Sequence, residues 1–173
     1  MRKLELAPPE NGQVSLRPSA DNQPCSSFKY DVVLGGEETV IGFATMDFNP
    51  YASEIEIGWI QIDRDDKLHF DGSEVKTEAG YQEQGYGAQA GEQLIDTALL
   101  AYPSARAFRL ELLTTAGFEL ANKLTERDGW TKVFDLIKVS RQGERSLDRS
   151  TDDVDKARDY LESHGIVQMS VNL

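Results

Sequence analysis

The sequence predicts a mixed α/β fold of the α+β kind, with a mainly antiparallel sheet and flanking helices. Two observations predict it. The apolar segments up to residue 62 are short and several alternate with polar residues, which is typical of antiparallel strands joined by turns. After residue 85, segments with helical spacing of apolar residues alternate with strand-like segments, giving a β-α-β-α-β order.

Four strands are expected in the first part of the chain. The first is short and covers residues 14–16. Residues 28–34 and 39–48 flank the pair Gly35-Gly36, and two apolar runs around a glycine turn predict a β-hairpin. Residues 54–62 alternate strictly at their start, as expected for a strand with one buried face.

The middle of the chain predicts two helices between strands. Apolar and small residues recur every three or four positions over residues 86–102, which predicts a helix that Pro103 ends. We expect a strand over 108–114, a second helix over 117–127 and another strand over 130–139.

The last part of the chain predicts a helix and a final strand. Residues 150–153 resemble a capping box ahead of a helix that runs to about residue 163, and Gly165 is placed to end it. Residues 167–173 then alternate between apolar and polar. We expect this extension, residues 150–173, to complete a sheet edge or to form a homodimer contact.

Composition restricts the classes of function. The 173 residues carry a net charge of −12, and residues 29–140 hold 20 acidic and 10 basic residues, so the acidity belongs to the body of a single expected domain, 1–173. Nucleic acid is an improbable partner because its phosphates attract Lys and Arg. No apolar run is long enough to cross a bilayer, so no membrane partner is expected.

Cysteine and histidine usage adds two further expectations. Cys25 is the only cysteine, so an internal disulfide is excluded and a cytoplasmic location fits best. His69 and His164 lie far apart without metal-ligand spacing, so no metal site is expected.

The most informative motif is a glycine pair at the start of the first predicted helix, in the segment Gln82-Glu-Gln-Gly85-Tyr-Gly87-Ala88. Two glycines allow a ligand to approach the backbone closely, and the helix N-terminus adds positive potential. Such a loop can hold a pyrophosphate without basic side chains. The alternative is a tight turn that only begins the helix.

The motif and its surroundings resemble the GNAT superfamily of acyl-CoA-dependent N-acyltransferases. Members carry an Arg/Gln-x-x-Gly-x-Gly/Ala loop between a central strand and a long helix. A strand, a second helix and a Gly-aromatic pair follow. Here Leu110-x-Leu112-x-Thr114, Ala121-x-x-Leu124 and Gly129-Trp130 match that order, and Glu56 to Ile62 resembles the central strand. The resemblance covers about residues 28–139.

The resemblance implies an acetyl-CoA site and a GNAT-like sheet in which the central strand and its neighbour splay apart. In the family, loop amides hold the pyrophosphate and the end of the central strand pairs with the pantetheine arm. The thioester then lies in the splay, where backbone donors can stabilise an oxyanion. The cofactor-binding residues implied here are Ile60, Gln61, Ile62, Gln82, Gln84, Gly85, Tyr86, Gly87 and Ala88.

Two catalytic candidates follow from the resemblance. Glu56 lies on the expected central strand, where family members often use a glutamate as a base through water, and Glu54 shares its face. A catalytic role predicts partial burial, which raises a carboxyl pKa; the alternative is that both line the solvent side of a strand. Thr125 stands where the family has its acidic tyrosine. Its hydroxyl is too weak an acid for that role but can donate a hydrogen bond or hold a water.

The implied reaction transfers an acetyl group from acetyl-CoA to a primary amine. The acidity favours a cationic acceptor, either a small molecule such as a polyamine or a protein. The chain also departs from the family by an insertion from Asp63 to about Glu78. Thr125, Phe118 in place of a pantetheine-binding Asn, and the scarcity of basic residues near the glycine loop support an alternative. That alternative is a degenerate GNAT fold that serves as a binding or regulatory module.

Overall fold

A computed structural model describes residues 13–19, 27–35, 39–62 and 85–173 of the chain. The expected insertion, Cys25, His69 and the first three residues of the glycine segment, 82–84, lie outside these ranges. In the described part, eight strands and three helices follow one another as β1 Val14–Pro18, β2 Ser27–Leu34, β3 Thr39–Asn49, β4 Glu54–Ile62, α1 Tyr86–Ala101, β5 Ala107–Leu112, α2 Thr115–Leu124, β6 Thr131–Val139, β7 Arg145–Thr151, α3 Val154–His164 and β8 Val167–Asn172.

The strands follow the order β1-β2-β3-β4-β5-β8-β6-β7. Of the five pairings whose register is described, only that of β4 with β5 is parallel. The predicted fold class, a mixed and mainly antiparallel sheet with helices, is therefore confirmed. No helix in the described ranges is long and apolar enough to cross a membrane.

The chain divides into two compact units, Met1–Thr45 with Trp59–Asp96, and Met46–Gly58 with Thr97–Leu173. The expected single domain over residues 1–173 stays a prediction. In the first unit β1 and β2 are antiparallel, from Val14↔Leu34 to Pro18↔Tyr30. Val14 and Leu16 of β1 and the adjacent Val32 and Val33 of β2 are buried. Helix α1 contributes small and branched apolar residues to the core: Ala90, Leu94 and Ile95.

The second unit is organised around β5, which is parallel to β4 and antiparallel to β8. One face of its strands is apolar and includes Phe108, Phe134 and Met169, all fully buried. From α2, Phe118 stacks on Phe134 with 5.5 Å between ring centroids. Burial of such large side chains is the main stabilising contribution to this unit.

The last helix, α3, ends at Gly165 as its sequence predicted, but its N-cap is Asp153 and not Ser150, where the predicted capping box would place it and which lies in β7. The Asp153 carboxylate accepts hydrogen bonds from the N–H groups of Asp155 and Lys156, both at 3.1 Å. These hydrogen bonds hold the pKa of Asp153 below its ordinary value, and the one from the Lys156 N–H has the largest effect. At the other end Gly165 has φ 85°, and its N–H bonds to the Leu161 carbonyl.

The position of the final strand corrects an expectation. The prediction that the extension completes a sheet edge is wrong, because β8 lies between β5 and β6, with registers to both. Its alternate residues Val167, Met169 and Val171 are fully buried, as an interior strand requires. The edge is formed by β7, which the sequence did not predict because its residues are polar and almost all exposed.

Replacing Gly165 by Ala should destabilise the fold by about 1 kcal/mol, because the left-handed conformation crowds a Cβ atom against its own backbone. An added Cβ meets no other atom within 4 Å, so the backbone conformation alone accounts for the cost. The melting temperature should fall by about 2–4 °C.

Asparagine tolerates the left-handed region better, so Gly165→Asn is the matched control and should lose less stability than Gly165→Ala. Equal melting temperatures for Gly165→Ala and the original chain would contradict the assigned C-cap.

Candidate functional site

The residue before α1 has a backbone conformation that favours glycine. Gly85 has φ 80°, it is exposed, and a Cβ added there would meet no atom of the described residues within 4 Å. The described residues therefore leave room for a ligand beside this backbone. Gln82 and Gln84, the other residues expected to contribute to this loop, lie outside the described residues.

The first turn of α1 presents the positive end of a helix dipole. The first bond that closes the helix runs from the Gln89 N–H to the Gly85 carbonyl, at 3.2 Å. The N–H groups of Tyr86, Gly87 and Ala88 precede it, as the first N–H groups of a helix do. No acidic residue lies in this turn, although the chain is strongly acidic. An anion at this end of the helix is therefore favoured.

Two glutamines of α1 hold the helix on β1. The side-chain oxygens of Gln89 and Gln93 accept hydrogen bonds from the N–H groups of Val14 (3.1 Å) and Leu16 (3.2 Å). The Gln93 amide also donates to the Val14 carbonyl at 2.6 Å. These bonds act as strand pairing does, and they fix the start of α1 against the first strand. The sequence reasoning missed them, since nothing in the spacing pairs β1 with α1.

The other expected cofactor residues form the end of β4. The register of β4 with β5 runs from Glu54↔Ala107 to Ile57↔Leu110, and β4 continues to Ile62 beyond that last pair. Ile60 and Ile62 are half-buried, and Gln61 lies between them on the strand. The backbone of this strand end is thus outside the described pairing with β5.

Glu56 and Glu54 have different surroundings on β4. Glu56 is exposed and makes no ion pair with a described residue, so the expected partial burial is not found. Glu54 is mostly buried, and its carboxylate lies 3.8 Å from the Arg109 guanidinium. Arg109, the register partner of Glu56, also donates to the Gln168 side chain at 3.0 Å. Sequence reasoning missed Arg109 and Gln168, because only the strand order brings β8 beside β5.

The Thr125 hydroxyl is already hydrogen-bonded within the C-terminal turn of α2. The residue is 1 % exposed, and its hydroxyl donates to the Ala121 carbonyl at 2.7 Å. The Lys132 ammonium donates to the neighbouring Asn122 carbonyl at 3.2 Å, and burial lowers its pKa, although Glu126 acts in the opposite direction. Both residues satisfy the last carbonyls of the helix, which is a structural role.

Comparison with solved structures finds acetyltransferases among the chains to which this chain is similar. A chimera of the spermidine N-acetyltransferase SpeG from Vibrio cholerae and hSSAT is 10% identical, with a TM-score of 0.48 over 86% of this chain and 68% of that chain. Nourseothricin acetyltransferase is 11% identical, with a TM-score of 0.46 over 91% of this chain and 83% of that chain.

A Bacillus subtilis acetyltransferase in complex with CoA is 14% identical, with a TM-score of 0.44 over 86% of this chain and 78% of that chain. No protein-family model and no curated protein matches the sequence. With identities of 10–14% and TM-scores below 0.5, these likenesses support no conclusion about activity or substrate.

Replacing Gln93 by Ala should loosen α1 from β1, because two hydrogen bonds to strand backbone are lost. We expect a loss of about 1–3 kcal/mol in stability. Amide hydrogen exchange should be faster at Val14 and Leu16, as the chain's first unit opens more often.

The adjacent Glu92 is exposed, so Glu92→Ala is the matched control and should leave both quantities unchanged. Unchanged exchange at Leu16 in the Gln93 variant would contradict the assigned bonds.

Proposed function

We propose that the chain is an acetyl-CoA-dependent N-acetyltransferase that acts on a cationic amine. The observation that carries the proposal is the start of α1. There Gly85 adopts a left-handed conformation with no described residue crowding it, directly before a helix whose first turn has no acidic side chain. In a chain with net charge −12, a first helical turn without acidic side chains suits a pyrophosphate group.

The residues present fit acetyl-CoA in two respects. The N–H groups of Gly85 to Ala88, with Gln82 and Gln84 before them, would hold the pyrophosphate. The backbone of Ile60, Gln61 and Ile62, beyond the described pairing with β5, would pair with the amides of the pantetheine arm. When bound, acetyl-CoA supplies an acetyl thioester.

Glu56 is the residue that we assign to proton transfer from the amine. A cationic amine must lose a proton before its nitrogen can attack a thioester carbonyl. Two other carboxylates of the same sheet face already have ion partners, Glu54 with Arg109 and Glu111 with Arg145. Glu56 is exposed and free of an ion pair with any described residue, so it can accept this proton directly or through water.

The products balance without a dedicated acid. The amine nitrogen, which has lost one proton to Glu56, forms a bond to the acetyl carbon, the carbon–sulfur bond breaks, and the sulfur keeps the electron pair. The second proton of the nitrogen leaves to solvent as the amide forms. A thiol pKa of about 8.5 makes the thiolate a good leaving group that solvent can protonate. We therefore assign no proton transfer to Thr125, whose hydroxyl is bonded to the Ala121 carbonyl.

The surroundings of Thr125 and Phe118 favour a second candidate function. Phe118 is fully buried, and the Thr125 hydroxyl takes part in the helix C-cap. Neither residue is available to a ligand, although the family uses both positions at its site. A chain that binds acetyl-CoA and transfers nothing would be a binding or regulatory module.

A transfer assay separates the two functions. The chain is incubated with acetyl-CoA and a cationic amine, spermidine or nourseothricin, and the released thiol is measured. We expect thiol release that depends on the amine. Glu56→Gln should lower kcat by about 100-fold or more at neutral pH, with less effect on KM. The defect should shrink as pH approaches the amine pKa, because the amine then deprotonates in solution.

Glu54→Gln is the matched control, because Glu54 lies two residues away on the same strand. It should keep kcat within a few-fold of the original value. Thiol release that is independent of Glu56 at every pH would remove this residue as the base. Acetyl-CoA binding without release for any cationic amine would favour the regulatory module.

A further inference from the structure

Among the described strands, none pairs with the outer side of the edge strand β7. It is last in the strand order and pairs with β6 on its other side. Six of its seven residues are exposed, and Leu147 keeps 59% of its surface in contact with solvent. Such an edge presents backbone N–H and C=O groups to any strand that approaches it.

The charges of this edge are balanced and self-complementary. The segment from Arg145 to Asp152 contains Arg145, Asp148, Arg149 and Asp152, so its net charge is zero in a chain of −12. When the segment is laid antiparallel on a copy of itself, Arg145 stands opposite Asp152 and Asp148 stands opposite Arg149. Every charge then faces its opposite, which stabilises antiparallel pairs.

A regular strand could not use this register. Residues opposite each other in an antiparallel pair share a face of the sheet, whereas neighbouring residues of a regular strand point to opposite faces. Asp148 and Arg149 are neighbours, so a two-fold axis between them requires an irregularity at that point.

The β-bulge in β7 lies at that point. Leu136 pairs with Arg149 and Ile137 with Leu147, which leaves Asp148 as the extra residue. A bulge removes one residue from the alternation, so Asp148 and Arg149 can share a face. Arg149 is the register partner of the fully buried Leu136, so it lies on the apolar face of the sheet, and the bulge allows Asp148 to share that face.

We propose that two copies of the chain associate through β7, antiparallel, about a two-fold axis between Asp148 and Arg149. Asp148 faces Arg149 of the partner subunit, Arg149 faces the partner's Asp148, and Leu147 faces the partner's Ser150. Arg145 stands opposite the partner's Asp152, but its guanidinium is held by Glu111 at 2.7 Å within the chain, so this outer pair contributes less. The inner Asp–Arg pairs therefore specify the register.

The order of the charges favours a second copy of the chain as the partner that pairs with the free edge of β7. Charged residues on an edge strand can also prevent association, but that purpose requires no order among the charges. In this segment each charge has a charge of opposite sign at the same distance on the other side of the Asp148–Arg149 bond. The bulge lies at that bond as well. An unrelated strand would match this pattern only by having the same sequence of charges.

Charge exchange tests the proposal directly. The mass of the full chain is measured by sedimentation velocity, and a dimer is expected. The single variants Asp148→Arg and Arg149→Asp each place like charges opposite each other twice, and each should raise the dimer Kd by about tenfold or more. A mixture of the two variants restores both inner pairs, so a heterodimer should form.

A matched pair of controls carries equal charge changes away from β7. Arg141→Asp and Glu162→Arg alter exposed residues, and both should remain dimers alone and when mixed. If Asp148→Arg fails to fold, Arg145→Asp and Asp152→Arg test the outer pairs by the same exchange. A monomeric original chain would overturn the proposal. So would single variants that dimerise as well as the original, or a mixture that stays monomeric.

Discussion

Strand β5 has a parallel neighbour on one side and an antiparallel neighbour on the other, and the second unit depends on this arrangement. The parallel register with β4 sets Glu56 opposite Arg109, and the antiparallel register with β8 brings Gln168 to the same guanidinium. Arg109 takes Glu54 as its ion partner and leaves Glu56 exposed. The polarity of one strand pair thus decides which carboxylate of β4 is available for chemistry.

Much of the fold followed from residues alone, because burial leaves a period in the sequence. In the described ranges, each element with a buried apolar face was predicted. Strand β4 was predicted from its alternation, α1 from its helical spacing and the end of α3 from Gly165. By contrast, β7 buries nothing and left no such period. The interior position of β8 depends on pairing between distant segments, which local patterns do not encode. The candidate site divides in the same way: Gly85 was predicted from its motif, whereas the pairing of Arg109 with Glu54 required the strand order.

Both proposals concern places in this acidic chain that have no excess of acidic residues. The net charge is −12, yet the first turn of α1 carries no acidic side chain and the segment from Arg145 to Asp152 is neutral. The first place suits an anionic ligand, and the second lets two acidic chains approach. Elsewhere the excess of carboxylates favours a cationic acceptor over a neutral one.

Calorimetric titration of the chain with acetyl-CoA and with CoA tests the central claim most directly. Acetyl-CoA and CoA should both bind at micromolar concentrations with similar affinity, since both contain the pyrophosphate and the pantetheine arm. Gly85→Ala should weaken both, whereas Gly143→Ala, at a turn glycine with φ 84° and equally open surroundings, should not. An absence of heat at high micromolar acetyl-CoA, or equal affinities for the two variants, would contradict the account.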